Sequence, residues 1–406
     1  MKRRPISGIL LVLVAGIAIA PSPAEAIPSF ARKYRVSCNL CHSPAPRLTA
    51  FGEQFAANGF EFVPAEEPLD TLDTGDDLLR LIRRIDFAFR MDAYADLSRP
   101  IGRDGTAMDL QMPYNIKLLS GGPIADKISY YLYFFLSERG QVAGLEDAYI
   151  QFTDIAGSGV AVMAGQFQVS DPLFKRELRL QYEDYQPYRV RVGHARPDLT
   201  YDRGLFLTYA PWEGGDVAMM VVNGQGLGAA AADRLYDRDN QKNFVLRYSQ
   251  EAGPLRIGAF GYYGRERAEG QTDRIVVWGP DATISPMDNV EFNLQFLRRE
   301  DTNPMLEVGG PSTRVNSAFG EVIVGPFGSD GRWYATGLYN WIDADQPLLS
   351  LRIGEQATGT GFMKRYHAAS GGIHYLLQRN VRLLGEVGWD LERSEPRFTA
   401  GATLAW

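Results

Sequence analysis

From about residue 78 to the C-terminus, apolar and polar residues alternate with a period of two in one short segment after another. Residues 85–92 are typical, because the odd-numbered positions are Ile, Phe, Phe and Met whereas three of the four even-numbered positions are charged. Successive side chains of a strand point to opposite faces, so this alternation predicts a strand with one apolar and one polar side. Similar alternation occurs in residues 112–118, 128–136, 148–152, 160–162, 244–248, 290–296, 333–341 and 398–406.

These segments predict a mainly all-β chain in which residues 78–406 form a porin-like transmembrane β-barrel. Counting them gives roughly sixteen antiparallel strands, a number at which a closed barrel keeps an aqueous lumen. The last strand alternates up to the C-terminal Trp406, and many of the 20 Tyr, 21 Phe and 6 Trp fall near strand ends, where interfacial girdles lie. A soluble β-sandwich or propeller is the alternative, although we find no blade-length repeat.

The N-terminus predicts export. A basic stretch of Lys2, Arg3 and Arg4 precedes a short apolar run from Ile9 to Ala20, and Ala24–Ala26 reads as an A-x-A cleavage site. We therefore predict a signal peptide over residues 1–26. After it, no apolar run approaches the roughly 20 residues of a membrane-spanning helix. The mean hydropathy of -0.21 does not argue against a barrel, whose lumen-facing residues are polar.

The two cysteines of the chain, Cys38 and Cys41, are spaced C-x-x-C and are followed directly by His42. This is the attachment signature of a c-type haem, in which both thiols bind the haem covalently and the histidine is the proximal iron ligand. A zinc site would need further ligands nearby, and a thioredoxin-like pair would need a βαβ context. A plain disulfide would not need the histidine. We predict a monohaem cytochrome c segment over residues 27–63.

After the haem motif the sequence predicts a short helix. Pro46 suits the first helical position, and Leu48, Phe51 and Phe55 then share one face that contacts the haem or forms the core beside it. Asn58-Gly59 is a suitable C-terminal cap.

The sixth iron ligand is not evident, because residues 27–63 contain no methionine and no second histidine. Candidates within the segment are the α-amino group of Ile27, Lys33 and Tyr34. Candidates from the barrel are His374 and Met163, whose positions in their strands predict that they face the lumen. A vacant or water-filled site is a further alternative.

Residues 64–77 form an acidic linker that contains no basic residue. Such a linker is either simply solvated or attracts a hard cation such as Fe²⁺ towards the haem. In the barrel region, Arg189 and Arg191 alternate with Val190 and Val192, which predicts a strand with both arginines in the lumen.

The stretches Ile27–Arg32, Cys38–His42 and Pro46–Gly52 resemble the N-terminal cytochrome of the fused monohaem cytochrome–porins of bacterial outer membranes, best known from iron-oxidising bacteria. The resemblance implies a mini-cytochrome followed by a barrel of about sixteen strands. It implies one haem c attached through Cys38 and Cys41, with His42 as the proximal ligand, and it supplies no distal ligand.

The resemblance also implies a function, which is to move single electrons across the outer membrane from an extracellular donor such as Fe(II) to a periplasmic electron-carrier cytochrome. The expected surroundings are outer-membrane lipid, and no nucleic-acid partner is expected. Two alternatives remain, a solute porin with a haem redox gate or sensor and a haem peroxidase-like enzyme.

Overall fold

A computed structural model describes residues 29–62, 71–79, 81–83, 85–99, 105–328, 330–350 and 361–406. The predicted signal peptide and residues 64–70 of the predicted linker lie outside the described residues. The helices are α1 (Ser29–Tyr34) and α2 (Ala50–Ala57), and single turns of 3-10 helix occur at Cys38–Leu40, Ile155–Gly157, Arg176–Leu178 and Gln186–Arg189.

The strands are β1 (Thr71–Leu72), β2 (Leu81–Ile82), β3 (Phe87–Ser98), β4 (Ala107–Ala125), β5 (Ile128–Glu138), β6 (Gly144–Phe152), β7 (Ala161–Gln168), β8 (Tyr201–Trp212), β9 (Gly215–Val222), β10 (Asn243–Ala252), β11 (Leu255–Ala268), β12 (Gln271–Met287), β13 (Val290–Asp301), β14 (Thr313–Val324), β15 (Trp333–Ala344), β16 (Leu349–Ser350), β17 (Phe362–Met363), β18 (Arg365–Gln378), β19 (Val381–Asp390) and β20 (Glu395–Ala405).

Sixteen of these strands, β3–β15 and β18–β20, form one closed antiparallel barrel, which confirms the predicted fold class. The last strand pairs with the first, with Ala402 opposite Ala93, so the sheet has no free edge. The alternation of side chains sorts the wall as predicted: in β18, Ile373 is 59% exposed on the outside whereas the next residue, His374, is fully buried inside.

The two ends of the barrel differ. At one end the strands are joined by short connections, five of which are two-residue turns at residues 126–127, 213–214, 253–254, 288–289 and 379–380. The longest connections, including residues 169–200 and 223–242, lie at the other end. In bacterial barrels the short turns are periplasmic and the long loops extracellular. We call the first end the short-turn end.

Aromatic side chains surround the short-turn end on the outer surface. Phe89 stacks on Trp406 with ring centroids 5.8 Å apart, and Trp333 lies 4.7 Å from Tyr375. Such rings suit the boundary between lipid and water, because they are apolar in the body and polar at the edge. Among the residues described, no helix is long and apolar enough to cross a membrane.

The connection between β7 and β8, residues 169–200, folds into the barrel, and we call it the internal segment. The prediction of a strand with Arg189 and Arg191 in the lumen is wrong. Residues 186–189 form a 3-10 turn, and Val190 and Val192 are the buried residues, packed against the inside of the wall. Local alternation could not reveal this, because the apolar side of an extended segment packs equally well on a barrel interior as on lipid.

Buried polar groups hold the internal segment to one side of the wall. The backbone N–H groups of Tyr182 and Glu183 donate to the carboxylate of Glu386 on β19, at 2.8 and 3.2 Å. Arg397 on β20 donates to Glu183 at 2.8 Å and to Glu386 at 3.0 Å. Each charge in this group therefore has an opposite partner, as buried charges require.

The opposite side of the wall is bound in a similar way. Asn340 on β15 accepts a hydrogen bond from the backbone N–H of Gln186 at 3.1 Å and donates to the carbonyl of Asp184 at 2.8 Å. Arg299 on β13 donates to the carbonyl of Val190 at 2.9 Å. The segment is therefore bonded to several strands around the circumference and packs across the barrel interior at this level.

A charged contact fixes the start of the internal segment. Lys117 binds the Glu177 carboxylate at 2.6 Å, and Arg90 donates to the Glu177 carbonyl at 3.2 Å. Burial by itself raises the pKa of Glu177, but Lys117, Arg179 and Arg90 together lower the pKa to about 2. The contribution of this carboxylate to stability is thus complete above its ordinary pKa and is lost only as the pH falls towards 2.

Candidate functional site

The N-terminal segment, residues 29–62, lies in the mouth of the barrel at the short-turn end. The Gln151 side chain, which points inward from β6, donates to the carbonyl of Ala57 at 2.8 Å. The ring of Phe60 stacks on Tyr131 of β5 at 5.5 Å, and Asn39 donates to Asp330 in the turn between β14 and β15 at 2.7 Å. The segment therefore contacts the wall on more than one side.

An aromatic cluster forms the core of this segment. Phe30 of α1 packs edge-on against Phe55 of α2 at 5.2 Å and stacks on Phe60 at 5.2 Å. Tyr34 and Phe62 complete the cluster, 4.3 Å apart. The predicted apolar core exists, although most of it comes from rings other than the three residues named from sequence.

Cys38, Cys41 and His42 lie on one tight turn. The carbonyl of Cys38 accepts hydrogen bonds from the backbone N–H of Cys41 at 3.3 Å and of His42 at 2.9 Å. Nδ1 of His42 lies 2.9 Å from the carbonyl oxygen of Pro46, which can only accept, so Nδ1 carries the proton. The lone pair of Nε2 is then free, which is the state in which a histidine ligates a metal.

The helix after the motif begins later than predicted. We expected Pro46 as its first residue, but α2 begins at Ala50, and Thr49 caps it by accepting from the N–H of Gly52 at 3.1 Å. The Thr49 hydroxyl also donates to the carbonyl of Leu40 at 2.8 Å. Residues 43–49 are not helical, and two of them contact His42: Pro46 through its carbonyl and Leu48 through a backbone bridge. Helical periodicity could not reveal these contacts.

The three predicted haem-contact residues lie in different environments. Leu48 precedes α2 and pairs with His42 in an isolated antiparallel bridge. Phe55 is 6% exposed in the aromatic cluster, whereas Phe51 on the preceding turn is 37% exposed, as is Leu40 at 38%. The predicted cap is confirmed, because Asn58 ends α2 and Gly59 follows with a φ of 76°.

Gly52 is required by the close packing of α2 on the haem motif. A Cβ atom at this position would overlap the carbonyl oxygen of Cys41. That oxygen already accepts from the N–H of Thr49 at 2.9 Å, so the turn cannot move away without losing this bond.

Gly52→Ala should therefore displace the turn that carries Cys41 and reduce the yield of covalently bound haem several-fold, with the barrel still formed. Haem staining per folded barrel after electrophoresis measures this yield. Ala56→Gly, one turn later in the same helix, is the control, and it should change helix stability by only about 1 kcal/mol. Equal haem yields in Gly52→Ala and the wild type would contradict the packing argument.

The thiols and the imidazole have environments suited to attachment. Burial raises the pKa of Cys38, and the positive charge of Arg379 offsets part of this rise. The pKa of Cys41 is also raised, mainly by burial and to a smaller extent by the nearby Cys38. Both groups are free thiols in the structure. Burial lowers the pKa of His42, which keeps the imidazole neutral. Dithiol redox sites contain a cysteine with a lowered pKa, whereas the pKa of both cysteines is raised here.

These residues fit a haem c. Two free thiols and a neutral imidazole with an available Nε2 come from one turn, and two exposed apolar side chains, Leu40 and Phe51, lie beside it. When bound, the group supplies reversible one-electron exchange. Among the described residues, no three His, Cys, Asp or Glu side chains are grouped to hold a separate metal ion.

Within the described part of the chain, none of the distal-ligand candidates forms a hydrogen bond or ring contact with His42. His374 faces the interior as predicted, with Nε2 bonded to the Thr336 hydroxyl at 2.9 Å, so that Nδ1 is its free nitrogen. Met163 packs on the interior core. Lys33 donates to the Tyr34 hydroxyl at 2.7 Å, which donates in turn to the carbonyl of Phe60. Ile27 lies outside the described residues. The distal ligand stays a prediction.

No family model and no curated protein matches the chain. Similar solved structures are outer-membrane proteins. The loop L8 deletion mutant of OmpT from Vibrio cholerae is 12% identical with a TM-score of 0.53, covering 80% of this chain and 99% of that one. The outer membrane channel DcaP of Acinetobacter baumannii is 10% identical with a TM-score of 0.54, covering 79% and 97%. OmpF of Salmonella typhi, in complex with daunomycin, is 10% identical with a TM-score of 0.52, covering 79% and 97%. The fold is thus that of a porin-type β-barrel.

Proposed function

We propose that this protein is an outer-membrane c-type cytochrome–porin that moves single electrons, from an extracellular donor such as Fe(II) to a periplasmic electron-carrier cytochrome. The observation that carries the proposal is the turn of Cys38, Cys41 and His42, with His42 Nδ1 held by the Pro46 carbonyl at 2.9 Å. The porin-type fold and the apolar, aromatic-ringed outer surface support the outer-membrane location.

The residues have separate roles. Cys38 and Cys41 would hold the haem through one thioether each, the thiol hydrogen being taken up by the neighbouring vinyl carbon. His42 Nε2 ligates the iron, and Pro46 and Thr49 fix the ring and the turn. The position at the short-turn end supports exchange with a periplasmic partner.

The filled interior favours electron movement over solute diffusion. The internal segment is hydrogen-bonded to β13, β15, β19 and β20, and the wall side chains of Asn340 and Arg299 are buried where they contact it. A water-filled porin would leave such side chains solvated. Electrons do not need an open channel, whereas solutes do.

The test is anaerobic addition of Fe²⁺ to the oxidised protein in detergent while the haem spectrum is recorded. We expect rapid appearance of the reduced c-type α-band, because one electron passes from Fe²⁺ to the ferric centre. His42→Ala should remove this response, and His194→Ala, an exposed histidine of the internal segment, should keep it. Reduction by dithionite but not by Fe²⁺ would exclude iron as the donor, and absence of covalent haem would overturn the proposal.

A further inference from the structure

One buried charge of the barrel interior lacks a matching partner. Arg382, the second residue of β19, is 3% exposed. Its Nη2 donates to the Thr403 hydroxyl at 3.3 Å, whereas Nε and Nη1 have no partner within the described part of the chain. Other interior arginines are matched, for example Arg247, which binds Asp281 at 2.6 Å. A buried guanidinium without a counter-ion is strongly unfavourable.

The carboxylate that acts electrostatically on Arg382 is Asp92, and it is already bound by another arginine. Asp92 on β3 accepts from Arg90 at both oxygens, Oδ1 to Nε at 3.2 Å and Oδ2 to Nη2 at 3.0 Å. Tyr94, also on β3, is a neutral phenol that faces the same group. The pair of Asp92 and Arg90 carries no net charge, so it cannot neutralise Arg382.

The remaining neighbours add no negative charge. Arg90 and Arg179 of the internal segment both act on Arg382 electrostatically as positive charges. His374 on β18 faces it and carries an unpartnered Nδ1. The groups that act on Arg382 from β3, β18, β20 and the internal segment therefore include one carboxylate, Asp92, which Arg90 already binds.

Arg382 lies close to the haem motif, because Asn39 of the motif and Arg379, three residues before Arg382, both donate to Asp330, at 2.7 and 2.9 Å. Arg379, in the turn that leads into β19, acts electrostatically on Cys38. Arg90, a neighbour of Arg382, acts electrostatically on His42. The motif and the unmatched guanidinium thus lie at the same part of the short-turn end.

We propose that Arg382 binds a propionate carboxylate of the haem attached at Cys38 and Cys41, through its terminal nitrogens, of which Nη1 has no partner among the described residues. A haem carries its two propionates on the edge away from the vinyl groups, so a haem attached at the turn would hold them away from Cys38 and Cys41, where a cation of the wall could bind them. Arginine suits this role, because its guanidinium keeps its charge and its two terminal nitrogens present parallel donors to one carboxylate. The proposal rests on the proposed function, since it requires the bound haem.

A guanidinium at this position should raise the reduction potential, because a positive charge disfavours the ferric state. In Arg382→Gln we expect the equilibrium constant for reduction to fall about tenfold, which is about 59 mV for a one-electron couple. Without the guanidinium the propionate is also protonated at higher pH. The potential of the variant should then decrease as pH rises from 5 to 8, over a range in which the wild type changes less.

The experiment is spectroelectrochemical titration of the full-length protein in detergent, with folding checked by heat-modifiable mobility on gels. Arg382→Lys, which keeps the charge and loses the paired donors, should give an intermediate potential. Arg256→Gln is the matched control, because Arg256 is likewise the second residue of its strand, β11, at the same end of the barrel, and β11 does not pair with β19. It should leave the potential unchanged.

Titrations in phosphate and in a phosphate-free buffer distinguish a propionate from a free anion. The same difference between Arg382→Gln and the wild type in both buffers supports the propionate. A difference seen only in phosphate would overturn the proposal in favour of a free anion. A haem-loaded Arg382→Gln protein with wild-type potential and pH profile would overturn it while leaving the proposed function intact. Wild-type protein without covalent haem would overturn both.

Discussion

Replacement of Cys38 and Cys41 together by serine should abolish covalently bound haem and leave a folded barrel. A serine hydroxyl does not form a thioether, and neither cysteine belongs to a barrel strand, so the sheet loses no contact. Haem that remains with the protein after denaturing electrophoresis, with the pyridine haemochrome spectrum, measures attachment. Heat-modifiable mobility measures barrel folding.

Each single cysteine variant should keep reduced amounts of haem through the remaining thioether. Ser37→Ala, an exposed position next to the motif, is the matched control and should attach haem as the wild type does. Covalent haem in the double variant would contradict the assignment of the site, and loss of the barrel itself would contradict the independence of the sheet from the motif.

The second large effect is expected from Arg397→Gln. Arg397 is the shared partner of Glu183 on the internal segment and Glu386 on the wall, at 2.8 and 3.0 Å. Its loss leaves two buried carboxylates without a cation, which costs about 3–5 kcal/mol. Because repulsion between these carboxylates acts directly between segment and wall, the segment should leave its position and open the barrel.

Single-channel recording in planar bilayers checks this expectation. The wild type should be nearly silent, and Arg397→Gln should show ion conductance together with a lower unfolding midpoint in denaturant. Arg298→Gln is the control, because its ion pair with Glu300 is partly exposed and is worth less than about 1 kcal/mol. A wild type with large, steady conductance would contradict the filled interior and would favour a solute porin.

The prediction of the barrel depended on an alternation that the membrane itself enforces. Residues 85–92, 128–136 and 398–406 each place apolar side chains on alternate positions, and all lie in barrel strands or directly before one. Because apolar side chains of a barrel strand must face the lipid and polar ones the interior, the alternation in the sequence was sufficient to predict which face of these strands points outward. The count of about sixteen was confirmed for the same reason.

Alternation misled us in the internal segment. Val190 and Val192 alternate with arginines as a wall strand would, yet they pack inside, next to β15 and β18. A long connection with its own apolar side chains can bury them on the barrel interior, and only the radius of the closed sheet decides that there is room. The roles of Pro46 and Thr49 were missed because both act through contacts between the motif and the chain after it, which no periodic pattern records.

The sequence by itself determined the closed β-barrel, the direction of most analysed strand faces, the inward position of His374 and the existence of one C-x-x-C-H motif. These follow from period-two burial and from covalent neighbours, which are local properties of the chain. Tyr114 is an exception, because a register shift in β4 turns it inward against Tyr94 and Tyr182 and away from the face of Met112. The tertiary structure alone decided that the N-terminal segment lies in the barrel mouth, that residues 169–200 fill the interior and that Arg382 is left without a counter-ion. These depend on which distant side chains meet in a confined, low-dielectric space, where charge pairing and available volume are set by the whole barrel.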